Sequence, residues 1–265
     1  MNYFSFFRFI LIRKRQHSFR KKWGQNFLTD KNLLEKILRT MKLQPNDSIL
    51  EIGPGEGVLS EKILPVVKEM IAVEIDPMLI TYLMDHSKLN GLKIIKGDIL
   101  SQNIEDLPIS NPVRVIGNIP YNITSPIIFW LIKQLQHWDD AIIMMQKEVA
   151  ERLIAKPGTK AYGRLTVLVA VYLKTNYCFT ISPDVFFPKP KVESAIIHFK
   201  KNPKPIVSDE NYDRFSKIVA TAFNQRRKML NNSLKRWEIP EKVKQKIDFK
   251  RRPETLTVKE FAALV

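Results

Sequence analysis

Ser48-Ile49-Leu50-Glu51-Ile52-Gly53-Pro54-Gly55-Glu56-Gly57 decides the fold. The first five residues read as a buried strand, and the chain leaves them directly into three glycines spaced by single residues. Glycine lets the backbone turn sharply and approach a ligand with no Cβ in the way. Val58 to Leu64 then has helical periodicity and Pro65 closes it. A strand, a Gly-rich turn and a helix form the opening unit of an alternating α/β sheet. The loop lacks the Gly-Lys-Ser/Thr ending of a phosphate-binding loop, and Val58 stands where a Gly-x-Gly-x-x-Gly pattern needs its third glycine. With Glu51 and Glu56 in it, the loop suits a pyrophosphate poorly and a cationic ligand better.

Outward from this unit the alternation continues. Met70 to Ile75 is a second apolar strand ending at Asp76-Pro77, and Pro77 to Met84 is a helix with Pro in its first turn. Lys93 to Lys96 leads into Gly97-Asp98, and Val113 to Gly117 leads into Asn118-Ile119-Pro120-Tyr121. Ile127 to Leu135 is a helix, Asp140 to Met145 a strand, and Lys147 to Ile154 a helix. Upstream, Thr29-Asp30 caps an amphipathic helix that includes Asn32 to Leu38. The expected architecture is α/β: a doubly wound, mostly parallel sheet. The stretch from Val167 to His198 is expected to add apolar strands antiparallel at one edge. Lys201-Asn202-Pro203-Lys204-Pro205 reads as a linker. After it, Asn211 to Phe223, Arg226 to Lys235 and Pro240 to Ile247 read as helices of a small all-helical C-terminal unit.

With 265 residues, 45% of them hydrophobic, and four Trp, the chain is a packed protein and not a disordered one. One cysteine excludes a disulfide framework, and four scattered histidines give no metal-ligand spacing. No metal is expected. The net charge of +16 is sharply localised. Residues 1–29 hold seven Lys/Arg and no acid, and residues 200–252 hold sixteen against six acids. The rest is close to neutral, so basic flanks surround a neutral centre, as suits a polyanion held at the ends. Met1 to Ile12 is too short and charged to span a membrane. An organelle transit segment and a nucleic-acid-touching arm both remain open for it.

The candidate ligand positions fall at the ends of successive strands, where doubly wound sheets bind. Gly53, Gly55 and Gly57, with Glu51, suit a sulfonium and amino-acid ligand. Glu74 is placed to accept from both hydroxyls of a ribose, with Ile75 against an adenine face. Asp98, beside Ile99, can accept from an adenine exocyclic amine. Asn118-Ile119-Pro120-Tyr121 is the most specific feature. The N6 lone pair of adenine is delocalised into its ring, so the amine is a poor nucleophile. Two acceptors holding its N–H bonds let the nitrogen pyramidalise toward a methyl donor. The Asn118 side-chain oxygen and the Ile119 carbonyl can be that pair, Pro120 fixes the turn, and Tyr121 can stack on a flipped base.

From about Lys21 to its end the chain resembles the small-subunit ribosomal RNA adenine N6,N6-dimethyltransferases, a family with a Rossmann-like class I methyltransferase fold. Gly24-Gln25-Asn26-Phe27-Leu28 is similar to that family's N-terminal motif, which closes over the methionine part of S-adenosylmethionine. Gln146 to Ala150 and Tyr162 to Leu165 resemble its middle segments. Phe186-Phe187-Pro188-Lys189-Pro190-Lys191-Val192 resembles the loop whose first Phe faces the target base opposite the Tyr, with Lys189 where another Pro is common. Phe223 to Leu230 resembles its basic C-terminal helix, and Arg251 to Leu256 its tail.

The resemblance implies a division into a 1–22 extension, a 23–202 cofactor-binding methyltransferase domain and a 203–265 helical RNA-binding domain. It implies S-adenosylmethionine held by Gln25, Asn26, Leu28, Glu51, Gly53, Gly55, Gly57, Glu74, Ile75, Asp98, Ile99 and Asn118. Catalysis falls to Asn118, Ile119, Pro120, Tyr121 and Phe186. RNA contacts fall to Arg20, Lys21, Lys22, Lys189, Lys191, Arg226, Arg227, Lys228, Arg251 and Arg252. The expected partner is the RNA of an immature small ribosomal subunit, and the expected protein is a cytoplasmic monomer. Alternatives are the large-subunit methyltransferases of macrolide resistance, a non-catalytic nucleic-acid-binding factor on the same fold, and a DNA adenine methyltransferase.

Overall fold

A computed structural model of the chain describes residues 26–265. The extension at 1–22, with Arg20, Lys21 and Lys22, and also Gln25, lies outside the described residues. β1 (Phe27–Leu28) is followed by α1 (Lys31–Met41). Asp30 stays extended and accepts at Oδ1 from the Leu33 N–H at 2.7 Å, which satisfies one of the free amides of the first turn. Loss of such a cap costs about 1 kcal/mol. Leu34, Ile37 and Met41 recur at helical spacing and bury one face.

β2 (Ser48–Ile52) is buried at every residue. α2 (Ser60–Ile63) is shorter than the helix expected over 58–64, because the glycine loop spends its own turns first, with Gly57 N–H donating to Pro54 O. Next come β3 (Glu69–Glu74), α3 (Pro77–Met84), β4 (Lys93–Lys96), β5 (Val113–Asn118), α4 (Thr124–Lys133), β6 (Trp138–Gln146) and α5 (Lys147–Leu153). α6 (Arg164–Tyr172), β7 (Leu173–Ile181), β8 (Phe186–Phe187) and β9 (Ser194–Lys201) complete the α/β body. α7 (Asp209–Asn224), α8 (Leu230–Ser233), α9 (Glu241–Lys246) and α10 (Val258–Ala262) follow.

The seven-stranded sheet has the order β4-β3-β2-β5-β6-β9-β7. Its first five strands are parallel, and β9 runs antiparallel to both β6 and β7. The chain builds outward from β2 through β3 and β4, then returns to the other side of β2 for β5. That reversal opens a crevice at the carboxyl ends of the central strands. Alternate residues face opposite sides of the sheet: Leu50, Ile71, Val115 and Ile143 join one apolar cluster, and Ile49, Met70, Ile116 and Ile142 the other. The C-terminal helices extend the first cluster through Phe215, Ile218, Phe261 and Leu264.

The expected strand beginning at Val167 is a helix. Val167, Leu168, Val169 and Val171 are all at most 2% exposed, so α6 is apolar on nearly every side and its β-branched run imitates a buried strand. The helix expected over 226–235 reduces to Leu230–Ser233, because Gln225 O accepts from Lys228 N–H in a turn that interrupts it. α10 was not anticipated, although Thr257 and Glu260 form the capping box that marks its start.

Arg114 braces the sheet at the end opposite the crevice. Its guanidinium reaches Asp140 at 2.7 Å, Asp47 at 2.7 Å and the Met41 carbonyl at 2.6 Å, and His198 joins through Asp140 at 2.7 Å. No helix of the described residues is long and apolar enough to cross a membrane.

Candidate active site

A cavity of about 360 Å³ occupies the crevice, in the size range of small-ligand sites. Glu51, Glu56, Glu74 and Asp98 line it, and among the described residues no Lys or Arg does. The cavity therefore favours a ligand carrying positive charge.

The glycine loop forms its floor. Gly55 has φ +61°, and a Cβ there would lie 3.2 Å from the ring of Phe27, which descends from β1 to form another wall. Gly53 lines the cavity as expected. Gly57 does not line it. At φ +76° a Cβ would lie 2.6 Å from Leu89 and 3.0 Å from Leu83, so this glycine permits packing beneath the loop.

Two buried carboxyls share the site. Glu51, 1% exposed, accepts a hydrogen bond from the Ser60 hydroxyl. Burial pushes its pKa up from 4.5 to about 7, against that hydrogen bond and with added repulsion from Glu74. Glu74, 2% exposed, ends β3 and accepts at Oε1 from the N–H groups of Ile75 and Asp76, both at 2.9 Å. Its Oε2 is buried with no hydrogen-bond partner among the described residues. Burial raises its pKa more than the Asp76, Ile75 and Gly55 amides lower it, the Gly55 amide acting from nearby without making a hydrogen bond to Oε2. A buried acceptor left unmatched is costly unless a ligand supplies the donor. Ile75 is 40% exposed beside it, and Asp98 lines the far wall with Oδ1 held by the Leu100 N–H at 3.0 Å.

Asn118 closes the near wall at the end of β5. Its Nδ2 donates to the Asn26 carbonyl at 3.0 Å. Only the amide nitrogen can donate there, so the bond leaves Oδ1 as the acceptor for a ligand. In the following turn, Pro120 O accepts from Ile123 N–H and Tyr121 O from the Thr124 hydroxyl. Both carbonyls are thereby occupied, whereas that of Ile119, a residue lining the cavity, accepts none of the turn's hydrogen bonds. Gly117 allows the turn to close: a Cβ there would lie 3.1 Å from both the Ile119 side chain and the Ile52 carbonyl.

Asn26, Leu28, Ile99, Ile119 and Pro120 line the cavity, so all the described residues expected around the cofactor meet there except Gly57. Tyr121 stands outside the lining, half-buried, with its hydroxyl 2.7 Å from Ser194 Oγ. Phe186 is 4% exposed and pairs across β8 with Leu28, inside the second apolar cluster; its neighbour Phe187 is 47% exposed. Phe27, Ser60 and Ser194 were not singled out in the sequence. Phe27 lay within a recognised motif, but nothing local ties Ser60 to Glu51 or Ser194 to Tyr121, 73 residues away.

The basic residues divide into two groups. Lys191, Arg227, Lys228 and Arg252 are exposed, and so is Lys189, although it pairs with Asp184. Arg226 instead donates to the carbonyls of Lys160 and Thr159 at 3.0 and 3.1 Å, with Glu254 at 3.8 Å. Arg251 pairs with Glu260 and donates to Thr255 O. Their donors fasten the C-terminal helices and the 156–160 loop, unlike those of the exposed group.

The family model described as ribosomal RNA adenine dimethylase matches residues 16–264. The chain belongs to that family. A ribosomal RNA small subunit methyltransferase A from Alcanivorax borkumensis is 40% identical, over 94% of this chain and 90% of its own length. One from Clostridium botulinum is 38% identical, over 96% and 95%. Among solved structures, a dimethyladenosine transferase from Plasmodium falciparum superposes with a TM-score of 0.77 at 28% identity, covering 90% of this chain and 95% of that one. The 23S rRNA methyltransferase ErmE superposes with a TM-score of 0.70 at 26% identity, covering 90% and 98%. The dimethylase family is thus matched in sequence over nearly the whole chain and in fold across both the sheet and the C-terminal helices.

Proposed function

We propose that this chain transfers methyl groups from S-adenosylmethionine to the N6 atoms of two adjacent adenines in small-subunit ribosomal RNA, giving N6,N6-dimethyladenosine during maturation of that subunit. The observation that carries the reading is the Asn118 carboxamide, oriented by the Asn26 carbonyl so that its oxygen and the Ile119 carbonyl are left for an incoming amine. Curated relatives at about 40% identity bear the small-subunit name, which favours that substrate over the large-subunit alternative.

The cavity fits the cofactor on its own chemistry. Its acidic lining matches a sulfonium and an ammonium, and the orphaned Glu74 Oε2 matches a ribose hydroxyl. Asn26 and Leu28 would border the methionine end, Glu74 the ribose, and Ile75, Asp98 and Ile99 the adenine. When bound, the cofactor supplies an electrophilic methyl group on a positively charged sulfur. The chain's task is then to present the nucleophile. Asn118 and Ile119 hold the two N–H bonds of the target amine and stabilise the positive charge that grows on nitrogen. Tyr121 stacks on the flipped base. Phe186 forms the opposite wall, its ring buried where β8 pairs with β1. Residues 203–265 and the basic N-terminal segment hold RNA phosphates, and the protein works as a monomer.

The test is incubation with methyl-labelled cofactor and either immature small subunits or large subunits. Label in adjacent small-subunit adenines is the expected outcome. Label confined to large-subunit RNA would replace this reading with the large-subunit alternative, and no label in either would remove the catalytic reading.

A further inference from the structure

The contact between Tyr121 and Ser194 has no role in forming the cofactor cavity, yet it joins the two halves of the target-base site. Tyr121 opens a single 3-10 turn, Tyr121–Ile123, and its carbonyl accepts from the Thr124 hydroxyl at 3.1 Å, so its backbone is fixed. Its hydroxyl lies 2.7 Å from Ser194 Oγ, so its ring is fixed as well. Ser194 is an unyielding anchor. It is 0% exposed, starts β9, and is paired in register with Gln146 of β6 on one side and Ile181 of β7 on the other. Glu193, just before it, accepts from the Lys147 N–H at 3.0 Å. The 186–193 loop that carries Phe186 runs directly into this anchor. One hydrogen bond therefore ties the Asn-Ile-Pro-Tyr turn to the end of the loop that forms the other wall. Such a bond is not a necessity for a buried tyrosine of this chain, since the Tyr162 hydroxyl is buried without a partner among the described residues.

We propose that Ser194 is a positioning residue, whose hydroxyl holds the Tyr121 ring and sets the width of the slot that receives the target base. The proposal rests on the reading of Asn118 to Tyr121 given above. A base that is methylated twice must stay stacked, or return, while its singly methylated N6 rotates. A ring free to swing away lets the monomethylated base leave first, so the bond acts most on the second transfer.

The experiment compares wild type, Tyr121→Phe, Ser194→Ala and the double variant on immature small subunits at saturating S-adenosylmethionine. It reads kcat, KM and the ratio of monomethyl- to dimethyladenosine in the RNA, with cofactor affinity measured by calorimetry on the same samples. Tyr121→Phe removes the bond from the accessible end, leaving buried Ser194 untouched. Each single variant is expected to lower kcat/KM about tenfold, the scale of one lost hydrogen bond. The double variant is expected to be no worse than either single, the monomethyl fraction to rise in all three, and cofactor affinity to stay at the wild-type value. Read at equal total methyl transfer, the product ratio does not depend on how much enzyme is folded, so a merely structural role leaves it unmoved. Wild-type kinetics and product ratio in Tyr121→Phe, or single effects that add in the double variant, would overturn the proposal. A wild-type chain that labels no adenine would overturn the underlying site reading, a result distinct from either.

Discussion

Glu74 offers one oxygen to two backbone amides and keeps the other buried and unmatched, which is how a side chain waits for a ligand hydroxyl. Glu74→Gln keeps an oxygen for the amides and turns the waiting atom into a donor. Cofactor affinity measured by calorimetry is expected to fall by about ten- to a hundredfold, the range for hydrogen bonds to charged groups; an unchanged affinity would remove Glu74 from the ribose. Glu51 makes a different statement at the same scale. Its pKa of about 7 in the fold stands above the ordinary 4.5, so between those values the folded chain holds a proton that the unfolded chain has lost. The stability it contributes is full below about pH 4.5 and is lost as pH rises through about 7. Glu51→Gln cannot ionise, and its melting temperature without cofactor is expected to exceed that of wild type at pH 8, with the gap closing toward pH 4.5. A gap that widens toward low pH would contradict a raised carboxyl. Wild-type affinity for a cationic cofactor is expected to rise across the same window as Glu51 ionises.

Elements were legible where their periodicity was local and misread where burial supplied the stability. β2 and α3 were readable in full: one is a short apolar run bounded by glycine, the other a helix opened by Asp76-Pro77. α6 was not, because a helix buried on nearly every face shows no polar stripe. The cofactor-side residues were legible because each ends a strand, and strand ends converge in this topology. Ser60 and Ser194 were not, since their partners are set by packing alone. The charge run at 226–228 hid a similar division. Arg226 is bonded to the 156–160 loop, while Arg227 and Lys228 are exposed. Arg226→Ala is expected to lower the melting temperature by several degrees, a scale of about 1–2 kcal/mol for lost charged hydrogen bonds, and to leave the salt dependence of RNA binding intact. Arg227→Ala with Lys228→Ala is expected to do the reverse. If Arg226→Ala flattens the salt dependence and leaves melting unchanged, the latch assignment is wrong.

Across the whole molecule, charge and chemistry are separated. In the sequence the basic excess lies in residues 1–29 and 200–252, while in the fold the acidic cavity lies at the carboxyl ends of the central strands and the Arg114 brace secures the far end of the sheet. RNA affinity is therefore expected to fall steeply with salt, with a slope that drops by about one for each exposed cation removed from the interface. Removing Arg227, Lys228 and Arg252 together should flatten it by about two to three without affecting cofactor binding; an unchanged slope would take these residues off the RNA. The family, the fold and the cavity all converge on the amine-holding pair at the end of β5. The most direct measurement is single-turnover methyl transfer from labelled S-adenosylmethionine to immature small-subunit RNA by wild type and Asn118→Ala, with cofactor affinity determined for both. Wild type is expected to label adenine N6, and the variant to retain cofactor while losing about a hundredfold or more in rate, the scale of losing one oriented charge-stabilising group. An Asn118→Ala protein that transfers at the wild-type rate would contradict the central claim.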